Sequence, residues 1–186
     1  SWYGEVARQA QKPDLAEEAF QKAVELNPSD PDAWTRLVST YLQLKRPEEV
    51  ERTLREAHLA LDEEFLPLLT AKYYELQSFW QQAEDIYLSA YSGRENEIPV
   101  ARKLAEFYLT WSQDNEANRG KAAVYLNKIL RASNEGKLAK DDPTGPWARR
   151  QAARLLAMTR NYADSLKAER LLSAAIEGGA ATAEDK

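Results

Sequence analysis

The sequence contains no cysteine in its 186 residues. Disulfides, thiol catalysis and zinc–thiolate sites are thereby excluded within the chain. Histidine occurs once, at His58, so the convergent partners that a metal site or an acid–base pair needs are missing. Glycine and proline are scarce, and most of them fall where helices should break. Gly-rich phosphate loops, G-x-S-x-G, G-K-[ST] and H-E-x-x-H do not occur. No apolar run approaches the roughly 18 residues needed to cross a bilayer, and no secretory signal is visible. These absences describe a soluble chain, better suited to the cytoplasm than to export. The lack of cysteine fits either redox regime, so the compartment itself is left open. Basic residues are outnumbered as well. The net charge of −5 opposes binding through phosphate neutralisation, so nucleic acid is not the expected partner.

What remains is 44% hydrophobic and 30% charged, enough apolar material for a packed core rather than wholesale disorder. The apolar positions follow a helical period. Leu15, Ala16, Ala19, Phe20, Ala23, Val24 and Leu26 form one stripe, which Asn27-Pro28-Ser29-Asp30-Pro31 ends. Trp34, Leu37, Val38, Tyr41 and Leu42 form the next, and Arg46-Pro47 interrupts it. Val50, Leu54, Ala57 and Leu61 follow. Continued along the chain, this period predicts helices at 2–11, 14–26, 31–44, 47–60, 64–77, 80–92, 97–113, 117–132, 146–160 and 164–177, and no strands.

The stripes repeat. Ala16, Phe20 and Ala23 recur as Val50, Leu54 and Ala57, and again as Ala83, Tyr87 and Ala90. The helices before them repeat too: Trp34, Leu37, Val38 and Tyr41 are followed by Thr70, Ala71 and Tyr74, then by Leu104, Ala105 and Tyr108. The clearest copy is Trp34-x2-Leu37-Val38-x2-Tyr41 with Val50-x3-Leu54-x2-Ala57, and the half copy before it closes with Asn27-Pro28. These residues resemble the tetratricopeptide repeat. The resemblance implies an all-α fold, a right-handed solenoid of antiparallel helix pairs with about ten helices. It covers most of residues 1–131, with Tyr3-Gly4-x2-Ala7 entering the first repeat part-way. Residues 132–146 read as a polar connector, 147–178 as a divergent pair, and 179–186 as a tail or the opening of a further helix. The start at Ser1-Trp2-Tyr3 and the acidic opening after Thr182 suggest a fragment cut from a longer array. Weak self-association through its uncapped ends is then expected.

No constellation calls for catalysis. His58 reads as a polar residue near a helix C-terminus. Glu17-Glu18, Glu48-Glu49, Asp62-Glu63-Glu64 and Asp141-Asp142 read as charges near helix starts. The aromatic residues clustered in the middle read as fillers of inter-helix holes, with Tyr73 and Trp111 left over for other work. No cofactor is expected.

In the family, the first helix of each pair lines the inner surface. Positions opposite the packed stripes then give candidates for a partner-binding groove: Arg36, Ser39, Leu69, Lys72, Arg102, Lys103, Trp147, Arg150 and Arg154. Their basic tendency suits a protein or peptide with acidic side chains or a free carboxylate. The five clamp positions of the chaperone-tail-binding members fall on Thr35, Ser39, Leu69, Pro99 and Lys103, with one basic residue of five, so that specific function is not implied. The leading reading is a protein-interaction scaffold. An RNA-binding array of related half-repeats and an accessory domain of an enzyme stand as alternatives.

Overall fold

The computed structural model describes residues 4, 12–111, 115–139, 142–159 and 161–177. Nine helices occur among them, and no strand. The predicted helix at 2–11 lies outside the described residues except for Gly4, which is helical. The chain divides into two compact units, Ser1–Ser92 and Gly93–Lys186. Unit 1 contains α1 (Pro13–Leu26), α2 (Pro31–Gln43), α3 (Pro47–Ala60), α4 (Leu66–Leu76) and α5 (Trp80–Ala90). Unit 2 contains α6 (Ile98–Thr110), α7 (Glu116–Asn134), α8 (Thr144–Ala157) and α9 (Tyr162–Glu177).

Proline sets most of the helix starts. It stands in the first turn of α1, α2, α3, α4 and α6, where its missing N–H would have no intrahelical partner. The Asp30 side chain accepts from the Asp32 amide to cap α2. Asn115 caps α7 in the same way, accepting from the amides of Ala117 and Asn118. The turns out of α2 and α4 are alike. Lys45 and Ser78 take left-handed backbone angles, φ 57° and 63°. The next amide, of Arg46 or Phe79, donates to the carbonyl of Tyr41 or Tyr74. Gly136 (φ 69°) ends α7 by the same device, with the Lys137 amide donating to Ala132.

Apolar faces then stack. In unit 1, Ala16, Phe20 and Val24 of α1 meet Trp34, Leu37, Val38 and Tyr41 of α2 and Val50 and Ala57 of α3. Polar bonds fix the crossings. The Trp34 indole donates to the Pro28 carbonyl (2.7 Å), Gln21 donates to the Tyr41 hydroxyl (2.7 Å), and Arg46 pairs with Glu17 (2.9 Å). In unit 2, Ala101 and Ala105 of α6, Leu126 and Ile129 of α7 and Ala148 of α8 form the core. Small residues at these crossings let the helices approach closely. Gly4 shows how tight the packing is: a Cβ there would lie 2.6 Å from the buried Phe20 ring. Gly4→Ala is therefore expected to destabilise the chain by about 1–3 kcal/mol through overpacking. Urea unfolding checks this, and an unchanged midpoint would show that the ring can move aside.

Several sequence expectations change. Leu54 is half-buried, not enclosed, although it packs on the unit 1 core. In α4 the buried position is Leu69, while Thr70, predicted to be in the stripe, is exposed and donates its hydroxyl to the Leu66 carbonyl. Burial of the leucine side chain outweighs the repeat spacing there. Helix α7 continues through Asn134 and α8 begins at Thr144, so the segment between them spans 135–143.

Candidate protein-binding surfaces

The first helices of successive pairs, α2 and α4, are neighbours in unit 1. Their candidate residues do not behave alike. Arg36 and Ser39 are half-buried. Leu69 is 4% exposed and belongs to the core, so it cannot face a ligand. Lys72 is also committed. Its ammonium donates to one oxygen of Glu75, a carboxylate only 6% exposed, and the Tyr87 hydroxyl donates to the other oxygen at 2.9 Å. Lys72 therefore compensates an internal acid.

Unit 2 brings two candidates together. Arg102 on α6 lies with its guanidinium 4.8 Å from the Trp147 ring centroid on α8. Its Nε donates to Glu106 (3.0 Å), and a terminal nitrogen donates to the Thr144 hydroxyl (3.1 Å). Arg102 is thus held by three partners, Trp147, Glu106 and Thr144. Lys103 and Arg150 are half-buried, and Arg154 is exposed.

Beside this pair lies a cavity of about 570 Å³. Its aliphatic wall is Ile98, Pro99 and Leu138, and its polar lining is Glu97, Arg102, Lys137, Asp142 and Thr144. The Thr144 hydroxyl and amide hold the Asp142 carboxyl below the usual carboxylate range, and Arg102 adds to this. Lys137 pairs with Glu135, and Glu97 pairs with Arg94, whose guanidinium holds that carboxyl low. The lining carries two cations and two carboxylates, so the cavity is balanced in charge rather than basic.

The residues set aside for other work are used in packing. Trp111 stacks on Tyr108, with ring centroids 6.5 Å apart, and Lys121 lies 5.7 Å from its ring. Tyr73 packs on the unit 1 core. His58 is exposed. No group of His, Asp or Glu able to hold a metal ion occurs among the described residues, and none of their helices is long and apolar enough to cross a membrane. The sequence reading missed buried Glu75, which Lys72 three positions earlier could have signalled. It also missed a groove beside Gly120, for which the mid-helix glycine was the only cue.

Residues 7–69 match the tetratricopeptide repeat family model. Those residues carry tetratricopeptide repeats. The match spans α1 to α3 and the opening of α4, and α6 with α7 and α8 with α9 form further pairs beyond it. Two solved structures are similar in fold. One is pilF of Pseudomonas aeruginosa, 20% identical with a TM-score of 0.54, covering 98% of this chain and 76% of that chain. The other is PilW, a type IV pilus biogenesis factor, 15% identical with a TM-score of 0.54, covering 98% and 77%. At these identities the likeness is one of fold alone. No curated protein sequence matches the chain.

Proposed function

We propose that this chain is a protein-interaction scaffold that holds a peptide or partner protein on the first helices of its pairs, with the α6–α8 surface of unit 2 as its anchor. The observation that carries this reading is the Arg102–Trp147 pair, its guanidinium fixed by Glu106 and Thr144 beside a cavity of about 570 Å³. A rigid cation on an aromatic face is a pre-organised recognition element, because little rotamer freedom is lost when a ligand arrives. The tetratricopeptide repeats in residues 7–69 support a scaffold rather than a catalytic role.

The balanced cavity lining leaves an acidic preference to the cations around it. Lys103 follows Arg102 on α6, and Arg150 and Arg154 lie about one and two turns beyond Trp147 on α8, so these are the cations proposed to attract an acidic peptide. The test is fluorescence anisotropy with a labelled glutamate-rich peptide at low and physiological salt. Lys103→Glu with Arg154→Glu is expected to weaken binding at least tenfold and to flatten its salt dependence, leaving helix content unchanged. Affinity equal to the parent chain's would show that the partner is read elsewhere. Lys72 is unsuited to this test, since a carboxylate there would oppose Glu75.

A further inference from the structure

We propose that the cavity beside Arg102 is a specificity pocket that admits an uncharged aliphatic residue and turns a charged one away, so that the acidic partner carries an aliphatic residue between its acids. This role rests on the peptide-holding surface proposed for α6 and α8. The wall of the pocket is aliphatic and supported from behind. Ile98 opens α6 and Leu138 stands in the segment 135–143, and both pack half-buried against the unit 2 core. Exposed Pro99 completes the wall. An apolar side chain laid along it leaves water, which is favourable in proportion to the area buried. The packed core behind keeps the wall from closing in on itself.

Charge decides which side chains can follow. Arg102 and Asp142 line the same cavity, and one residue keeps both in place. Thr144 is only 8% exposed. Its hydroxyl accepts from Arg102 at 3.1 Å, and its amide donates to Asp142 at 2.8 Å. A ligand carboxylate in the cavity would meet Asp142, held in its charged form, and Glu97. A ligand ammonium would meet Arg102 and Lys137. Either way, attraction to one sign is offset by repulsion from the other, and the ligand's own water is lost.

A neutral group with one acceptor and one donor suits both fixed charges, and a peptide unit is such a group. Its carbonyl can accept from Arg102, whose guanidinium has N–H groups beyond those given to Glu106 and Thr144. Its N–H can donate to Asp142, whose carboxylate has acceptor sites beyond the one that the Thr144 amide occupies. The cavity thus suits the backbone of an extended peptide with an aliphatic side chain on the wall. Acids on either side of that residue stay outside, within reach of the surrounding cations.

Anisotropy titration of the full 186-residue chain with labelled peptides tests the pocket. Each peptide carries glutamates on both sides of a central residue, which is leucine, glycine, aspartate or lysine. The leucine peptide should bind about tenfold or more tighter than the glycine peptide, the gain from burying such a side chain. The aspartate and lysine peptides should bind more weakly than the glycine peptide. Asp142→Asn combined with Glu97→Gln keeps the acceptors and removes their charge. It should bring the aspartate peptide level with the glycine peptide or above it, with helix content unchanged. Equal binding of the leucine and glycine peptides overturns the pocket. If Lys103→Glu with Arg154→Glu still weakens both, the peptide-holding surface stands without it. Tightest binding by the aspartate or lysine peptide overturns the pocket too, since the cavity would then read charge. So does an aspartate penalty that survives Asp142→Asn with Glu97→Gln. Binding by none of these peptides overturns the holding surface and the pocket together.

Discussion

Lys72→Glu is expected to lower the stability of the chain by about 3–5 kcal/mol, the cost of leaving a buried charge without its partner. Glu75 is 6% exposed and depends on two donors, the Lys72 ammonium and the Tyr87 hydroxyl. A glutamate at position 72 removes one donor and sets a like charge against the same oxygen. Lys72→Met should cost less, because it removes the compensation without adding repulsion. Combining Lys72→Met with Glu75→Leu should recover much of the loss, since neither partner is then stranded. Urea unfolding of the three variants checks this order. If Lys72→Glu unfolds at the parent's midpoint, Glu75 is reached by water and the pair is a surface one.

Phe20→Ala should be comparably severe, at about 3–5 kcal/mol, because the ring is fully enclosed between α1 and its neighbours. Leu54→Ala occupies the equivalent place in the next repeat yet should cost only about 1–2 kcal/mol, its side chain being half-buried. Equal losses at the two sites would mean that the repeats pack more uniformly than the structure shows. A larger loss at Leu54 would place the enclosed core one repeat further along.

The helix map was legible because its punctuation is local. Pro13, Pro31 and Pro47 mark three starts, and Asn27-Pro28 marks the end of α1. Tyr41, Ala57, Leu104 and Tyr108 were legible as core because they fall on the period and are apolar enough to follow it. The period failed at Leu69 and Thr70. Spacing alone put Thr70 inside, but the leucine next to it gains more from burial, and the repeat tolerates that slip. The site was less legible. Arg102 and Trp147 were each named as candidates, but nothing local announces that residues 45 positions apart meet at 4.8 Å. Exposure on a helical wheel also says nothing of partners. Lys72 and Arg102 were read as cations awaiting an acid, whereas each already holds one within its own helix, Glu75 and Glu106. Trp111 looked spare because it stands just past the end of α6, off the repeat's packed stripe, yet it stacks on Tyr108 of that stripe and packs on Phe107.

The most direct measurement of the scaffold reading is an amide and indole chemical-shift map of the chain titrated with a glutamate-rich peptide. The Trp147 indole N–H should move most among the side chains. Backbone shifts should concentrate on α6 and α8 around Lys103 and Arg150, with those of α3 at Glu51 and Arg55 unmoved. Shifts confined to α3, or none at saturating peptide, would contradict the account.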